Sequence, residues 1–266
     1  MVTLKSEEEI LKIKASSLLV SQTLAEVAKI IRPGMTGLEL DRLAETFIGD
    51  HYAKAAFKGY NGFPGSLCIS VNEQVVHGIP NQLPFREGDV VSVDCGVLLN
   101  GYFGDAAYTF ALNPVPEGVS LLLKVTKKSL QLGIDQAFAG NRIGDISQAI
   151  QDFTEGIHHF GVVRELVGHG IGKSLHEPPE VPNFGKRGRG MVLKEGLTLA
   201  IEPMINLGTR RVKQLKDGWT IITQDKKVSA HYEHTIVVRK DRGECLSDHR
   251  IIEDSIKNNK ELTEIA

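Results

Sequence analysis

Cysteine is scarce and unpatterned in this chain: Cys68, Cys95 and Cys245 are the only three in 266 residues, and no two form a Cys-x-x-Cys pair. That spacing excludes a disulfide framework and a structural zinc ribbon. Long apolar runs are missing too. No stretch approaches the ~18 residues of a membrane span, and the opening MVTLKSEEEILKIK lacks the apolar core of a secretory signal. Neither sign of charge dominates, since 31 Lys and Arg stand against 33 Asp and Glu for a net charge of −2. A generally basic nucleic-acid surface and an acidic tail are thereby excluded. No linker rich in Pro, Gly or Ser divides the sequence. These absences predict a cytoplasmic protein of one domain, residues 1–266, with no DNA or membrane partner. With 41% apolar residues it can bury a sizeable core.

The elements that are present recur in a fixed order. Ser6 to Glu9 reads as a capping box, followed by Ile10, Ile13, Val20, Leu24, Val27 and Ile31 on one helical face, with Pro33-Gly34 as the stop. Thr36 to Glu39 starts a second helix with Leu40, Leu43 and Phe47 inward. Strands are expected at 67–71 and 90–97, with a return strand at 102–112 after the hairpin signal Asn100-Gly101. Helices at about 116–138 and 145–158 follow, then a loop-like stretch at 165–182, strands at 197–205, 219–223 and 232–239, and a frayed end at 258–266. The order helix, helix, strands occurs twice. Arg86-Glu-Gly-Asp-Val-Val-Ser-Val-Asp94 also aligns with Lys194-Glu-Gly-Leu-Thr-Leu-Ala-Ile-Glu202 at an offset of 108. Gly34 and Gly140 precede matching helix starts near the same offset. Duplication accounts for both agreements. The expected architecture is α+β, with pseudo-repeats at about 7–112 and 116–240 giving carboxylates to a shared centre.

Asp94 ends the apolar run Val90-Val-Ser-Val, where a carboxylate is costly unless paired or bound to a cation. Asp105 lies on the return strand, eleven residues later, where a tight turn can bring both side chains to one face near the same level. Glu202 follows Thr198-Leu-Ala-Ile, Glu233 opens Glu-His-Thr-Ile-Val-Val, and His169 stands among glycines in Gly-His-Gly-Ile-Gly. Taken singly, each has a structural explanation as a cap, turn or loop residue. Together, four carboxylates and an imidazole suit two divalent ions such as Mn, Fe, Co or Zn, and without cations the carboxylates would repel one another.

The ordered set Asp94-x10-Asp105, Gly-His169-Gly-Ile-Gly, Ile-Glu202-Pro and Tyr-Glu233-His-Thr resembles the methionine aminopeptidases, over about residues 3–240. Val76-His77-Gly-Ile-Pro and His176-Glu177 resemble that family's two further site histidines. The resemblance implies a pita-bread fold: two pseudo-symmetric halves with a curved antiparallel sheet covered by two pairs of helices. It also implies a dinuclear metallo-exopeptidase that removes the initiator methionine of nascent chains ahead of a small second residue, as in the short bacterial type I form.

The roles it implies are specific. Asp94 would bind one ion and His169 with Glu202 the other, while Asp105 and Glu233 would bridge. Glu202 would also move the proton of the attacking water. His77 would contact the scissile bond and His176 its carbonyl. Phe57, Tyr60, Phe63, Cys68, Leu175 and Trp219 would wall the methionine side chain; apolar strand residues are usually core, so Phe57 and Leu175 fit core packing equally well. Many bacterial relatives carry Cys, Tyr and Phe at positions 57, 63 and 175, and Gln at 231, where this chain has Phe57, Phe63, Leu175 and His231. The basic clusters at 186–189 and 210–213 read as solvated loops, with transient ribosome contact as the functional alternative. Monomer is the default. An Xaa-Pro peptidase of the same fold and a partner-binding module that has lost its ligands are the competing readings. The first usually adds an N-terminal domain, and the second is disfavoured because all five ligand types are kept.

Overall fold

The first two helices of the protein form where short polar residues cap apolar periodicity. A computed structural model describes residues 2–265. Helix α1 (Glu7–Ile30) opens on the expected capping box: Glu9 N–H donates to Ser6 Oγ at 3.3 Å and Ser6 N–H to Glu9 Oε2 at 2.9 Å. All six expected apolar residues of its inward face, Ile10 to Ile31, are buried, and the chain leaves the helix ahead of Pro33. Helix α2 (Gly37–Asp50) starts from the same motif at Thr36 and Glu39. Leu40 is buried, but Leu43 and Phe47 are only half-buried and Ala44 and Ile48 take the innermost positions.

Helices α3 (Glu117–Asp135) and α4 (Ile143–Gln151) form the second pair. The single helix expected to about 158 is instead α4 followed by a wider π-helical turn, Asp152–Ile157. Helix α5 (His249–Ile256) was not anticipated. The segment expected to fray is packed: Leu262 and Ile265 are buried, and Lys127 Nζ donates to the Ile265 carbonyl at 2.9 Å. Among the described residues, no helix is long and apolar enough to cross a membrane.

The strands form four hydrogen-bonded sheets of four, three, three and five strands. In the first, Val90–Leu99 pairs with Tyr102–Ala111 along its whole length. Asn100 (φ 53°) and Gly101 (φ 79°) are both left-handed, as the tightest hairpin turn demands. In the five-stranded sheet, Thr198–Ile201 lies between Gly168–Gly170 and His234–Val238. The stretch 165–182, expected as loop, therefore holds two short strands, Gly168–Gly170 and Glu177–Val181. The strand expected at 197–205 breaks at Glu202-Pro203, because proline offers no ladder N–H.

The same hydrogen-bond pattern recurs in the two halves. Gly34 N–H donates to the Phe85 carbonyl and Phe85 N–H to that of Met35; in the second half Gly140 donates to Leu193 and Leu193 to Asn141. Gly88 (φ 84°) and Gly196 (φ 83°) make the same turn before the carboxylate-bearing strands. The halves are stitched by two threonines. Thr235 Oγ1 donates to the Asp105 carbonyl and accepts from Asp105 N–H, while Thr109 Oγ1 donates to the His231 carbonyl and accepts from His231 N–H. Glu233 N–H donates to the Ala107 carbonyl between them.

Candidate metal centre and substrate cavity

Strand register decides which side chains meet at this seam. Asp94 lies opposite Ala107, and Asp105 opposite Gly96, so the two aspartates are diagonal neighbours on one face. In the second half His169 and Thr235 flank Ala200 on either side, and His234 pairs with Ile201, so one further step of that register sets Glu233 beside Glu202. The five predicted residues thus converge. His169 Nε2 is 3.7 Å from Glu202 Oε1 and 4.0 Å from Asp105 Oδ2. Asp105, His169 and Glu233 are buried, whereas Asp94 and Glu202 are partly open to a cavity.

The electrostatics describe a site built for cations. Burial raises Asp94 to about 7 and Glu202 to about 8. Asp105 and Glu233 are pushed well above the usual carboxylate range, first by burial and then by neighbouring charges, those of Asp94 and Glu202 on Asp105 and those of Asp105, Glu202 and Asp94 on Glu233. Asp94 Oδ1, Asp105 Oδ1 and Glu233 Oε1 are buried without a hydrogen-bond partner, which divalent ions would remedy. Two groups of donor atoms lie within 4.8 Å of one another, Asp105–His169–Glu233 and Glu202–His231–Glu233. Glu233 belongs to both, Asp105 to one and Asp94 to neither. His169 Nδ1 lies 2.8 Å from the Gly170 carbonyl, so the proton sits on Nδ1 and the Nε2 lone pair faces the carboxylates. Burial also drives His169 down to about 3, which keeps it neutral.

The cavity beside the carboxylates has a volume of about 350 Å³. Phe57, Tyr60, Phe63, Cys68, Leu175 and Trp219 all line it, so Phe57 and Leu175 face the cavity as well as packing into its wall. Phe63 and Trp219 meet edge to face at 5.2 Å. His77 and His176 project into the same space. His77 has a left-handed backbone, φ 57°, and the next residue, Gly78, lies so close to the Ile69 carbonyl that a Cβ would come within 2.1 Å of it. Burial lowers His77 to about 4. His176 Nδ1 is 2.7 Å from Tyr60 Oη, and its ring meets that of His169 at 4.3 Å. The loop carrying His176 is tied to the N-terminal segment by Lys5, whose Nζ donates to Glu177 Oε2 at 2.7 Å.

Sequence reasoning missed Asn61, Glu165, Leu166, Val167 and Met204, which also line the cavity. Only the proximity of 165–167 to His169 signalled any of them. The basic clusters are exposed, with Arg187 Nε 3.7 Å from Asp145 Oδ1. His231, placed at the seam, is 1% exposed rather than facing solvent.

The family model described as "Metallopeptidase family M24" matches residues 12–240. The methionine aminopeptidase of Clostridium perfringens is 49% identical over 93% of this chain and 99% of its own length. The crystal structure of the methionine aminopeptidase from Rickettsia prowazekii superposes with a TM-score of 0.92 at 39% identity, covering 93% of this chain and all of that one. Its counterpart from Thermotoga maritima gives 0.91 at 42%, with the same coverage. The expected pita-bread fold is thereby shown.

Proposed function

The chain belongs to metallopeptidase family M24 and, within it, to the methionine aminopeptidases, and from that premise we propose how its own residues perform the metal-dependent removal of an N-terminal methionine. Asp94, Asp105, His169, Glu202 and Glu233 would hold two divalent ions at the seam. The observation that carries this reading is the trio of unpartnered buried carboxylate oxygens beside the bare Nε2 of His169. The donor set is oxygen-rich with one imidazole and accepts Mn, Fe, Co or Zn. Bound there, such ions lower the pKa of water to about 7 and polarise the scissile carbonyl.

The protein's groups do the rest. The aromatic and sulfur-bearing wall of Phe57, Phe63, Cys68 and Trp219 receives the methionine thioether. Glu202 takes the proton of the attacking water and passes it to the leaving amine. Tyr60 O–H donates to His176 Nδ1, which leaves the Nε2 proton to stabilise the developing oxyanion. His77, neutral and held by its strained turn, contacts the scissile amide. The substrates are nascent N-termini whose second residue is small, the chain acts as a single-domain cytoplasmic monomer, and any ribosome contact is transient. Turnover of Met-Ala-Ser across Mn, Fe, Co and Zn at matched free-metal levels tests the reading. Asp105→Ala and Glu233→Ala should abolish turnover; unchanged activity in either would sink the dinuclear mechanism, and cleavage of Xaa-Pro peptides in place of Met-Ala-Ser would sink the methionine assignment.

A further inference from the structure

Among the described residues, His231 is the one histidine at the seam with a ring nitrogen that is buried and bonded to nothing. Its side chain is 1% exposed, and its Nε2 has no hydrogen-bond partner. That nitrogen lies 3.4 Å from Glu202 Oε2. The other oxygen of the same carboxylate, Oε1, faces His169 Nε2 at 3.7 Å. Glu202 is thus held between two imidazoles, one oxygen toward each. His169 presents a lone pair, because its proton is committed to the Gly170 carbonyl. Oε1 therefore faces His169 on one side and Oε2 faces His231 on the other, and His231 also stands in a donor group with Glu202 and Glu233. The backbone of His231 is tied across the seam. Its N–H donates to Thr109 Oγ1, whose O–H donates back to the His231 carbonyl, and the residue pairs with Met204 across the sheet.

We propose that His231 is a positioning residue for Glu202: its Nε2–H donates to Oε2, which fixes the carboxylate's rotation so that Oε1 serves the metal centre and Oε2 faces the proton it must carry. This rests on the assignment of Glu202 as ligand and proton carrier. The physical case is that His231 Nε2 is buried without a partner, and donating to the facing Glu202 Oε2 at 3.4 Å removes that desolvation penalty. Hydrogen bonds from outside the ligand set hold ligating carboxylates in place, and their loss typically lowers metal affinity or activity about 10–100-fold. His231 does not line the cavity, so it acts on turnover through Glu202 and not on the substrate.

The experiment pairs kinetics with a direct view of the proton. In His231→Leu, kcat for Met-Ala-Ser should fall by about 10–100-fold with KM little changed. His231→Gln, whose side-chain N–H can occupy the place of Nε2, should restore most of it. Loss of KM rather than kcat, or a Leu variant as active as the parent, overturns the proposal. In zinc-loaded parent protein carrying ¹⁵N-histidine, NMR should show the Nε2 of His231, assigned by its absence in His231→Gln, as a proton-bearing nitrogen. A bare Nε2 overturns the proposal even if the Leu variant fails to fold, and a zinc-bound Nε2 does so by making His231 a direct ligand. Glu202→Gln separates the two levels: retained turnover there would remove the premise about Glu202, whereas abolished turnover there with a silent His231→Leu would refute only the role of His231.

Discussion

At the scale of single residues, what matters is which groups are held where they would not choose to be. His77 adopts a left-handed backbone that non-glycine residues rarely take, and it does so beside Gly78, where a methyl group would collide with the Ile69 carbonyl at 2.1 Å. The strain sits next to the cavity and fixes the height of the imidazole above it. Gly78→Ala should therefore cost stability, about 1–3 kcal/mol as for overpacked sites, and should lower kcat more than it raises KM. Urea denaturation and Met-Ala-Ser kinetics read the two effects; a variant with parental kcat would show that the turn does not position His77. The candidate ligand carboxylates could be singled out in sequence because, ordinary one by one, they recur in matched strand contexts. His231 could not be read in the same way. A histidine two residues before a strand carboxylate carries no mark of burial, and only the crossing of the two halves encloses it. Asn61 and Met204 were hidden for the same reason, since they reach the cavity through folding and not through pattern.

At the scale of elements, local chemistry determined the helices well and the short strands poorly. Capping boxes and a 3.6-residue period are written within a few residues of each other, so α1 and α2 could be read directly. The strands Gly168–Gly170 and Glu177–Val181 are rich in glycine and proline and exist because partners on the Thr198–Ile201 strand and each other supply their ladders; no single stretch announces them. The start of α1 shows how one residue serves two elements. Glu9 accepts from Ser6 N–H and from Tyr102 O–H at 2.9 Å, joining the helix to the return strand of the hairpin. These bonds, the Ser6 amide foremost, hold its carboxyl at about 2. The folded pKa lies below the ordinary 4.5, so the contribution is fully present above about 4.5 and is lost as pH falls toward 2. Glu9→Gln should thus be less stable than the parent near pH 6, with the gap closing between those two values. Urea midpoints measured across that range check it, and a gap that stays constant with pH would remove the charged carboxylate as its cause.

At the scale of the whole molecule, the duplicated halves bring four carboxylates to one seam, which is a liability until cations arrive. Burial and mutual repulsion already push Asp105 and Glu233 far above their usual range, so the metal-free protein retains its centre at the expense of stability. Ions that bind only the folded state stabilise it by mass action, about 2.7 kcal/mol at a hundredfold excess over Kd. For a chain of this size that is roughly 5–10 °C in Tm, at about 2–4 °C per kcal/mol. Replacing one carboxylate by its amide should separate the two consequences. Asp105→Asn keeps the shape of the side chain and removes a buried like charge, so the metal-free variant should melt at or above the metal-free parent. The same change removes a proposed ligand, so added Mn should raise its Tm far less than it raises that of the parent, and the two curves should cross as the ion is titrated in. Scanning calorimetry after chelation and across a Mn series measures both. A metal-free Asp105→Asn that melts well below the parent would mean the aspartate stabilises the fold without any cation, and a full Mn-induced shift in the variant would mean the ions are held elsewhere. The crossing is the signature of a centre whose residues are arranged for its ions at the expense of the empty fold.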